Sequence, residues 1–268
     1  MALKEFQRTV CRLIAQQRID SGESYVAGSS ALNLATGLGR ISRDIDLFHD
    51  SVDAVTSSWQ ADRKCLVESG CDIEVLHERN GFVEAVVSRA GEQVALQWTA
   101  DSAFRFFPLE QHEDFGLTLH PFDLATNKVL ALVGRVEPRD WVDTIACNES
   151  IQHLGFLAWA ASGKDPGFSP PAILEQAARS VRYSEEEIAA LEFEGVPPDA
   201  AELSQRWRHI LNEAREIVTL LPPEEVGKCV LAGDGTLFQA NTPFQGLSEK
   251  PCFHKGTLRG AFPNISPP

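Results

Sequence analysis

The chain has 268 residues, of which 24 are basic and 38 acidic, giving a formal charge of −14. That balance excludes a general nucleic-acid clamp, because neutralising phosphates needs a basic surface that the chain as a whole lacks; a local groove around Arg40, Arg43, Arg63 and Lys64 stays open. The composition, 43 % hydrophobic and 23 % charged, excludes a disordered or collagen-like chain and fits a main domain with a helical appendage.

Residues 3–19 read as a helix, with Leu3, Phe6, Val10, Leu13 and Ile14 recurring mostly at three- and four-residue steps. The charges mixed into Met1–Asp20 do not suit a signal peptide. Tyr25–Ala27 is a short strand that breaks at Gly28-Ser29-Ser30, and a short helix follows, ended by Gly37 or Gly39. From Asp44 to Phe48 polar and apolar residues alternate, the pattern of a strand with one wet face, and a helix spans about Asp53 to Glu68. Asp72–His77, Phe82–Ser88 and Gln93–Trp98 form an antiparallel meander with turns at Arg79-Asn80-Gly81 and Ala90-Gly91. After a short strand at Leu117–Leu119, Pro121 opens a helix to about Arg135 and Pro138 opens another.

Helices are then expected at Ile151–Ala161, Pro171–Val181, Ser184–Phe193 and Ala200–Leu220, the third with a Ser184/Glu187 capping box. Val230–Pro268, with Gly233-Asp234-Gly235 and Asn241-Thr242-Pro243 turns, reads as a loop-rich tail. The expected organisation is α+β: residues 1–148, a helical region 149–225, and a tail 226–268 packed on the body or partly disordered. The apolar run His153–Ala161 is too short to span a bilayer, and six cysteines without a CxxC pair suit reduced thiols in a cytoplasmic protein.

Asp44 and Asp46 are the leading candidates for chemistry. Residues two apart on a strand share a face, so two carboxylates stand side by side while Ile45 and Leu47 face the core. A cation relieves their repulsion, and oxygen-only ligands suit Mg²⁺ or Mn²⁺, which take further ligands from substrate phosphates. Gly28, Ser29 and Ser30, at a helix N-terminus beyond the preceding strand, can cradle a triphosphate with backbone amides. The plainer alternatives are a solvated strand end and a serine N-cap.

The run from Tyr25 through Gly28-Ser29-Ser30 to Arg43-Asp44-Ile45-Asp46-Leu47-Phe48 resembles the Gly-Ser, Asp-x-Asp signature of the polymerase beta-like nucleotidyltransferase fold. Asp123 to Lys128 to Arg135, followed by Arg139-Asp140 and Asp143, resembles the AbiEii/AbiGii-type nucleotidyltransferases, known as toxins of abortive-infection toxin–antitoxin systems. The resemblance covers about residues 20 to 147. It implies a mixed sheet with flanking helices, Mg²⁺, an NTP substrate and an acceptor hydroxyl on RNA such as tRNA, on a protein or on a small metabolite. It also implies an antitoxin partner; the lack of any eighteen-residue apolar run adds the expectation of no membrane. By resemblance Asp44, Asp46, Lys128 and Asp143 are catalytic, Asp44 and Asp46 hold the metal, and Gly28, Ser29, Ser30, Arg43, Lys128, Arg135 and Arg139 bind nucleotide.

On the helices, Lys128 and Arg135 lie seven residues apart on one face, and Asp140 and Asp143 share a face of the next; the plainer alternative is an ion-paired helix corner, with Arg139 four residues before Asp143. One position departs from the pattern. Where a third carboxylate usually completes the metal cluster, the strand offers Gln97, an amide that coordinates weakly and cannot take a proton. Asp101 replaces it only if the strand end curls back. The competing expectation is therefore a degenerate module that binds nucleotide or a partner protein without transfer. The seven histidines show no HExxH motif, and the tryptophans at 59, 141, 159 and 207 read as core.

Overall fold

A computed structural model describes residues 3–180, 182–239 and 251–264. In chain order the elements are α1 (Glu5–Ser21), β1 (Ser24–Ala27), α2 (Gly28–Thr36), β2 (Asp44–His49), α3 (Val52–Glu68), β3 (Asp72–Arg79), β4 (Phe82–Arg89) and β5 (Glu92–Ala100). Short strands β6 (Phe104–Arg105), β7 (Glu110–His112) and β8 (Gly116–Thr118) follow. Then come α4 (Pro121–Arg135), α5 (Pro138–Ser150), α6 (Leu154–Ala161), α7 (Pro170–Ala177), α8 (Glu185–Ala189) and α9 (Ala200–Leu220). Last are β9 (Cys229–Leu231), β10 (Cys252–His254) and β11 (Thr257–Leu258). Two compact units emerge: Met1–Ala103 with Leu109–His120, and Phe104–Pro108 with Pro121–Pro268.

The first unit is a seven-stranded mixed sheet in the order β3-β4-β5-β2-β1-β8-β7. β2 runs antiparallel to β1 and parallel to β5, so it sits centrally with a neighbour on each side. Its alternation, seen in the sequence, sends Ile45 and Leu47 into the core and leaves Asp44 and Asp46 half-buried on the opposite face. Helices α1 and α3 cover the core face, where Trp98 meets Trp59 edge-on at 4.7 Å and its Nε1 donates to Asp62 at 2.9 Å. Burying each such large apolar side chain stabilises by about 1.5–3 kcal/mol. The β4–β5 turn has positive φ at both Ala90 and Gly91, as a two-residue hairpin requires, and this fixes the pairing of the two strands.

The second unit is helical. α4 packs on α5, α6 and α7, and α6 packs on α9. Every residue of α6 is buried, and Phe156, Trp159, Ile217, Leu221, Val230 and Phe238 form one apolar cluster. Among the described residues no helix is long and apolar enough to cross a membrane.

Several expectations change. α4 and α5 cluster with the later helices, so the division falls at His120/Pro121 instead of near residue 148. The excursion Phe104–Pro108 joins the second unit because Asp123 accepts the Phe106 and Phe107 amides (2.9 and 3.0 Å), His254 Nε2 donates to the Phe106 carbonyl (2.8 Å), and β6 pairs with β11. Within the stretch expected to be loop-rich, β9 pairs with β10. The helix expected over Ile151–Ala161 starts at Leu154, and that over Ser184–Phe193 keeps its capping box but ends at Ala189. The helix expected over Pro171–Val181 spans Pro170–Ala177, and the turn at Asn241–Pro243 lies outside the described residues.

Candidate active site

β1 ends at Ala27, and Gly28 turns the chain into α2 with φ +67°. The pairing of β1 with β2 sets Ala27 opposite Asp46, so the turn and the second aspartate arrive at the same place. The approach is close: a Cβ at position 28 would lie 1.8 Å from Asp46 Oδ2 and 2.8 Å from its Cγ. Only glycine meets both the left-handed φ and that carboxylate.

The two serines part company here. Ser30 is fully buried, and its hydroxyl turns back toward the Ala27 carbonyl at 3.5 Å. Ser29 keeps part of its surface exposed. The expected serine N-cap does not form; Ala27 is the N-cap, and it has no side chain with which to cap. The first turn of α2 stands beside Asp46, and the positive end of the helix dipole with it.

The loop into β2 is clamped from both sides. Asn33 Nδ2 donates to the Arg40 carbonyl (2.6 Å) and Gln7 Nε2 to the Ser42 carbonyl (2.9 Å), and the Ser42 hydroxyl donates to Asp44 Oδ1 (3.1 Å). Arg43 is exposed just ahead of the two aspartates. The basic groove expected from Arg40, Arg43, Arg63 and Lys64 does not assemble, because Arg40 is buried and Arg63 and Lys64 ride on α3, across the sheet from Asp44 and Asp46.

Beside Asp46 in β5 lies Gln97, and beside Gln97 in β4 lies Glu84. Gln97 Nε2 donates to Glu84 Oε1 at 3.1 Å. Sequence reading passed over Glu84, although the Ala90-Gly91 hairpin carries the signal: pairing Arg89 with Glu92 and counting back brings Glu84 opposite Gln97. Asp101 does not stand in for the third carboxylate. Its amide donates to the His49 carbonyl at the far end of β2, and its Oδ1 accepts from the Ser102 amide. Among the described residues no three His, Cys, Asp or Glu side chains gather into a metal cage. The donors present are the Asp44 and Asp46 carboxylates with an amide next to them, an all-oxygen set that fits a hard divalent cation completed by phosphate oxygens.

Lys128, Arg135, Asp140 and Asp143 meet in the second unit. Lys128, 6 % exposed, sets Nζ 2.9 Å from Asp140 Oδ1 and 3.0 Å from Asp143 Oδ2, both carboxylates being fully buried. Arg135 adds two hydrogen bonds to Asp140, Nε at 3.1 Å and Nη2 at 3.0 Å. Burial alone would lower the Lys128 pKa, but Asp143 and Asp140 outweigh it and hold the ammonium above its ordinary value. Arg139 reaches Glu137 at 2.6 Å and Asp143 takes Lys128 at 3.0 Å, so the helix corner is ion-paired.

No protein-family model matches the chain, and no curated protein sequence matches it. Among solved structures, MenT4, a nucleotidyltransferase toxin from Mycobacterium tuberculosis H37Rv, is similar over 82 % of this chain and 85 % of its own, at 13 % identity and a TM-score of 0.54. JHP933 from Helicobacter pylori is similar over 81 % of this chain and 95 % of its own, at 17 % identity and a TM-score of 0.49. The chain thus has the α+β nucleotidyltransferase fold. That likeness does not single out the AbiEii/AbiGii type within it.

Proposed function

We propose that this chain moves a nucleoside monophosphate from an NTP to an acceptor hydroxyl with release of pyrophosphate. The observation that carries the reading is the contact at Gly28, where the glycine-serine turn and Asp46 occupy one spot and any side chain would collide with the carboxylate. Asp44 and Asp46 would hold Mg²⁺ or Mn²⁺, and the amides of Gly28 and Ser29 would face the triphosphate. A divalent ion bound there would offset the charge that develops on the phosphates. The two carboxylates and the helix N-terminus then act by positioning: they fix the α-phosphate for in-line displacement and require little movement during transfer. Lys128 enters the reading as part of the buried joint between α4 and α5, its ammonium already engaged by Asp140 and Asp143.

The acceptor is proposed to be RNA such as tRNA, with a protein or small-molecule hydroxyl as competing outcomes, and the biological role that of a toxin restrained by an antitoxin. A second reading, nucleotide capture without transfer, is favoured by Gln97 at the place of a third carboxylate. One experiment separates them. The protein is incubated with each labelled NTP, Mg²⁺ and a cell extract, with Asp46→Asn as control, and the labelled species is identified by mass. Label on an acceptor, lost in Asp46→Asn, supports transfer; Mg²⁺-dependent NTP binding with no labelled acceptor supports the binding module. Growth arrest on expression that persists undiminished in a folded Asp46→Asn variant removes transfer from any toxicity.

A further inference from the structure

Across the sheet face that carries Asp46, the strand register draws one row of side chains: Asp46 on β2, Gln97 on β5, Glu84 on β4 and His77 on β3. Asp46 and Glu84 lie two strands apart, and both Glu84 oxygens face other groups, Oε1 accepting from Gln97 Nε2 at 3.1 Å and Oε2 lying 3.8 Å from His77 Nε2. Glu84 therefore does not supply the third ligand. It acts on the residue between.

A carboxylate accepts hydrogen bonds and donates none, so the Gln97 carboxamide must turn its NH₂ toward Glu84, as the 3.1 Å contact from Nε2 to Oε1 records. The opposite flip would set two acceptor oxygens against each other. With the NH₂ fixed on the β4 side, the carbonyl oxygen is turned away from Glu84. Glu84 keeps only part of its surface exposed, and its other oxygen lies 3.8 Å from His77 Nε2, so its carboxylate is braced on both sides.

We infer that Glu84 is a positioning residue which holds Gln97 so that the amide oxygen, and not the amide NH₂, is presented to a divalent cation on Asp44 and Asp46. Gln97 is then the third protein oxygen of the site, neutral where a carboxylate would be charged. This rests on the nucleotidyltransferase reading above. Its consequence is a site of lowered affinity, because divalent-ion affinity is tuned by the number of charged ligands, and one whose affinity depends on an acceptor at position 84 more than on a charge there.

The test is direct titration of the full chain with Mn²⁺ alone, following free Mn²⁺ by its electron paramagnetic resonance signal, with thermal melts confirming that each variant is folded. Glu84→Ala is expected to weaken Mn²⁺ binding about tenfold, as loss of an outer-shell partner does, and to add nothing in a Gln97→Ala background. Glu84→Gln, whose carbonyl still accepts from Gln97, is expected to stay near wild type. The exchange variant Gln97→Glu with Glu84→Gln keeps the hydrogen bond with its polarity reversed, places a carboxylate beside Asp46, and is expected to bind Mn²⁺ more tightly than wild type.

Unchanged affinity in Glu84→Ala, independent losses from Glu84→Ala and Gln97→Ala, or a Glu84→Gln variant as weak as Glu84→Ala would each overturn the inference, the last by making Glu84 a source of charge and not of orientation. If Asp46→Asn abolishes Mn²⁺ binding while Glu84→Ala leaves it intact, this inference falls and the nucleotidyltransferase reading stands. Wild-type protein that binds no Mn²⁺, or binds it regardless of Asp46→Asn, overturns both.

Discussion

At the head of β2 two like charges, Asp44 and Asp46, share one face of a sheet and keep part of their surface in water. At the joint between α4 and α5 opposite charges meet instead, with Lys128 closed against Asp140 and Asp143 and almost no water left. The first arrangement costs stability, since adjacent carboxylates repel; the second satisfies itself, since each charge has its counter-charge within 3.0 Å. On the function proposed above, the first would be kept for a divalent cation held by the two carboxylates. A fold that builds the second is holding two helices together. By resemblance both groups belong to the catalytic machinery, and the contrast assigns them different tasks.

The contrast breaks most readily at Lys128. Lys128→Met keeps the stem and removes the charge, leaving two buried carboxylates without their ammonium, and is expected to cost roughly 3–5 kcal/mol in urea unfolding. Adding Asp140→Asn and Asp143→Asn should recover much of that. The raised Lys128 pKa sets the sign of the pH dependence: a lysine whose folded pKa lies above its unfolded value, about 10.5, stabilises fully below that pH and loses the contribution as pH climbs through the folded value. Wild type should therefore show an alkaline loss of stability that Lys128→Met lacks. A cost below about 1 kcal/mol would mean that the joint is not what holds α4 to α5.

β2 carries a smaller version of the same contrast on its two faces. His49, on the core side, is fully buried, with its Nδ1 3.3 Å from the Thr99 carbonyl, and burial pushes its pKa from 6.5 down to about 4, with the nearby Arg18 guanidinium also lowering it. The unfolded chain binds this proton at a higher pH than the folded one, so stability should fall as pH drops from about 6.5 to 4, by roughly 3 kcal/mol from this group alone. Melting His49→Gln across that window should show a shallower slope than wild type. An equal slope would place the acid sensitivity elsewhere.

Asp46→Asn sharpens the comparison from the other side. Removing one of two like charges should leave stability unchanged or slightly raised while lowering transfer on the order of 100-fold, about 2.7 kcal/mol of transition-state stabilisation. Gly28→Ala, with φ +67° and a Cβ 1.8 Å from Asp46 Oδ2, should disturb the same carboxylate and in addition cost about 1–3 kcal/mol of folding energy. If Asp46→Asn destabilises the protein instead, the dyad is structural and resembles the Lys128 joint after all.

What could be read from the sequence followed from local rules. Alternation from Asp44 to Phe48 gave the wet face, and a glycine between strand and helix gave the turn, because strand period and left-handed φ are decided within a few residues. The meeting of Gly28 with Asp46 was a spatial expectation that β1–β2 pairing fulfils. Glu84 needed the register of a hairpin to be carried across two strands, which the Ala90-Gly91 turn permits but composition does not suggest. The Phe104–Pro108 excursion was hidden because its anchors, Asp123 and His254, lie 17 and 148 residues along the chain from Phe106. Arg40 looked like surface for the same reason: nothing near it in sequence announces that it is buried.

The smallest effect falls on Arg135, which stands at the edge of the joint and tests where the joint ends. Its guanidinium makes two hydrogen bonds to Asp140 yet remains 48 % exposed, so solvent screens the pair and Lys128 still neutralises Asp140 when Arg135 is gone. Arg135→Ala should lower stability by no more than about 1 kcal/mol, less at high salt, and leave the KM for NTP unchanged if Arg135 belongs wholly to the joint. A KM raised severalfold with an unshifted melting temperature would instead make Arg135 a nucleotide contact, as the family resemblance implies. The boundary between charges that hold the helices and charges that meet the substrate would then run between Arg135 and Lys128, through two side chains that share the same aspartate.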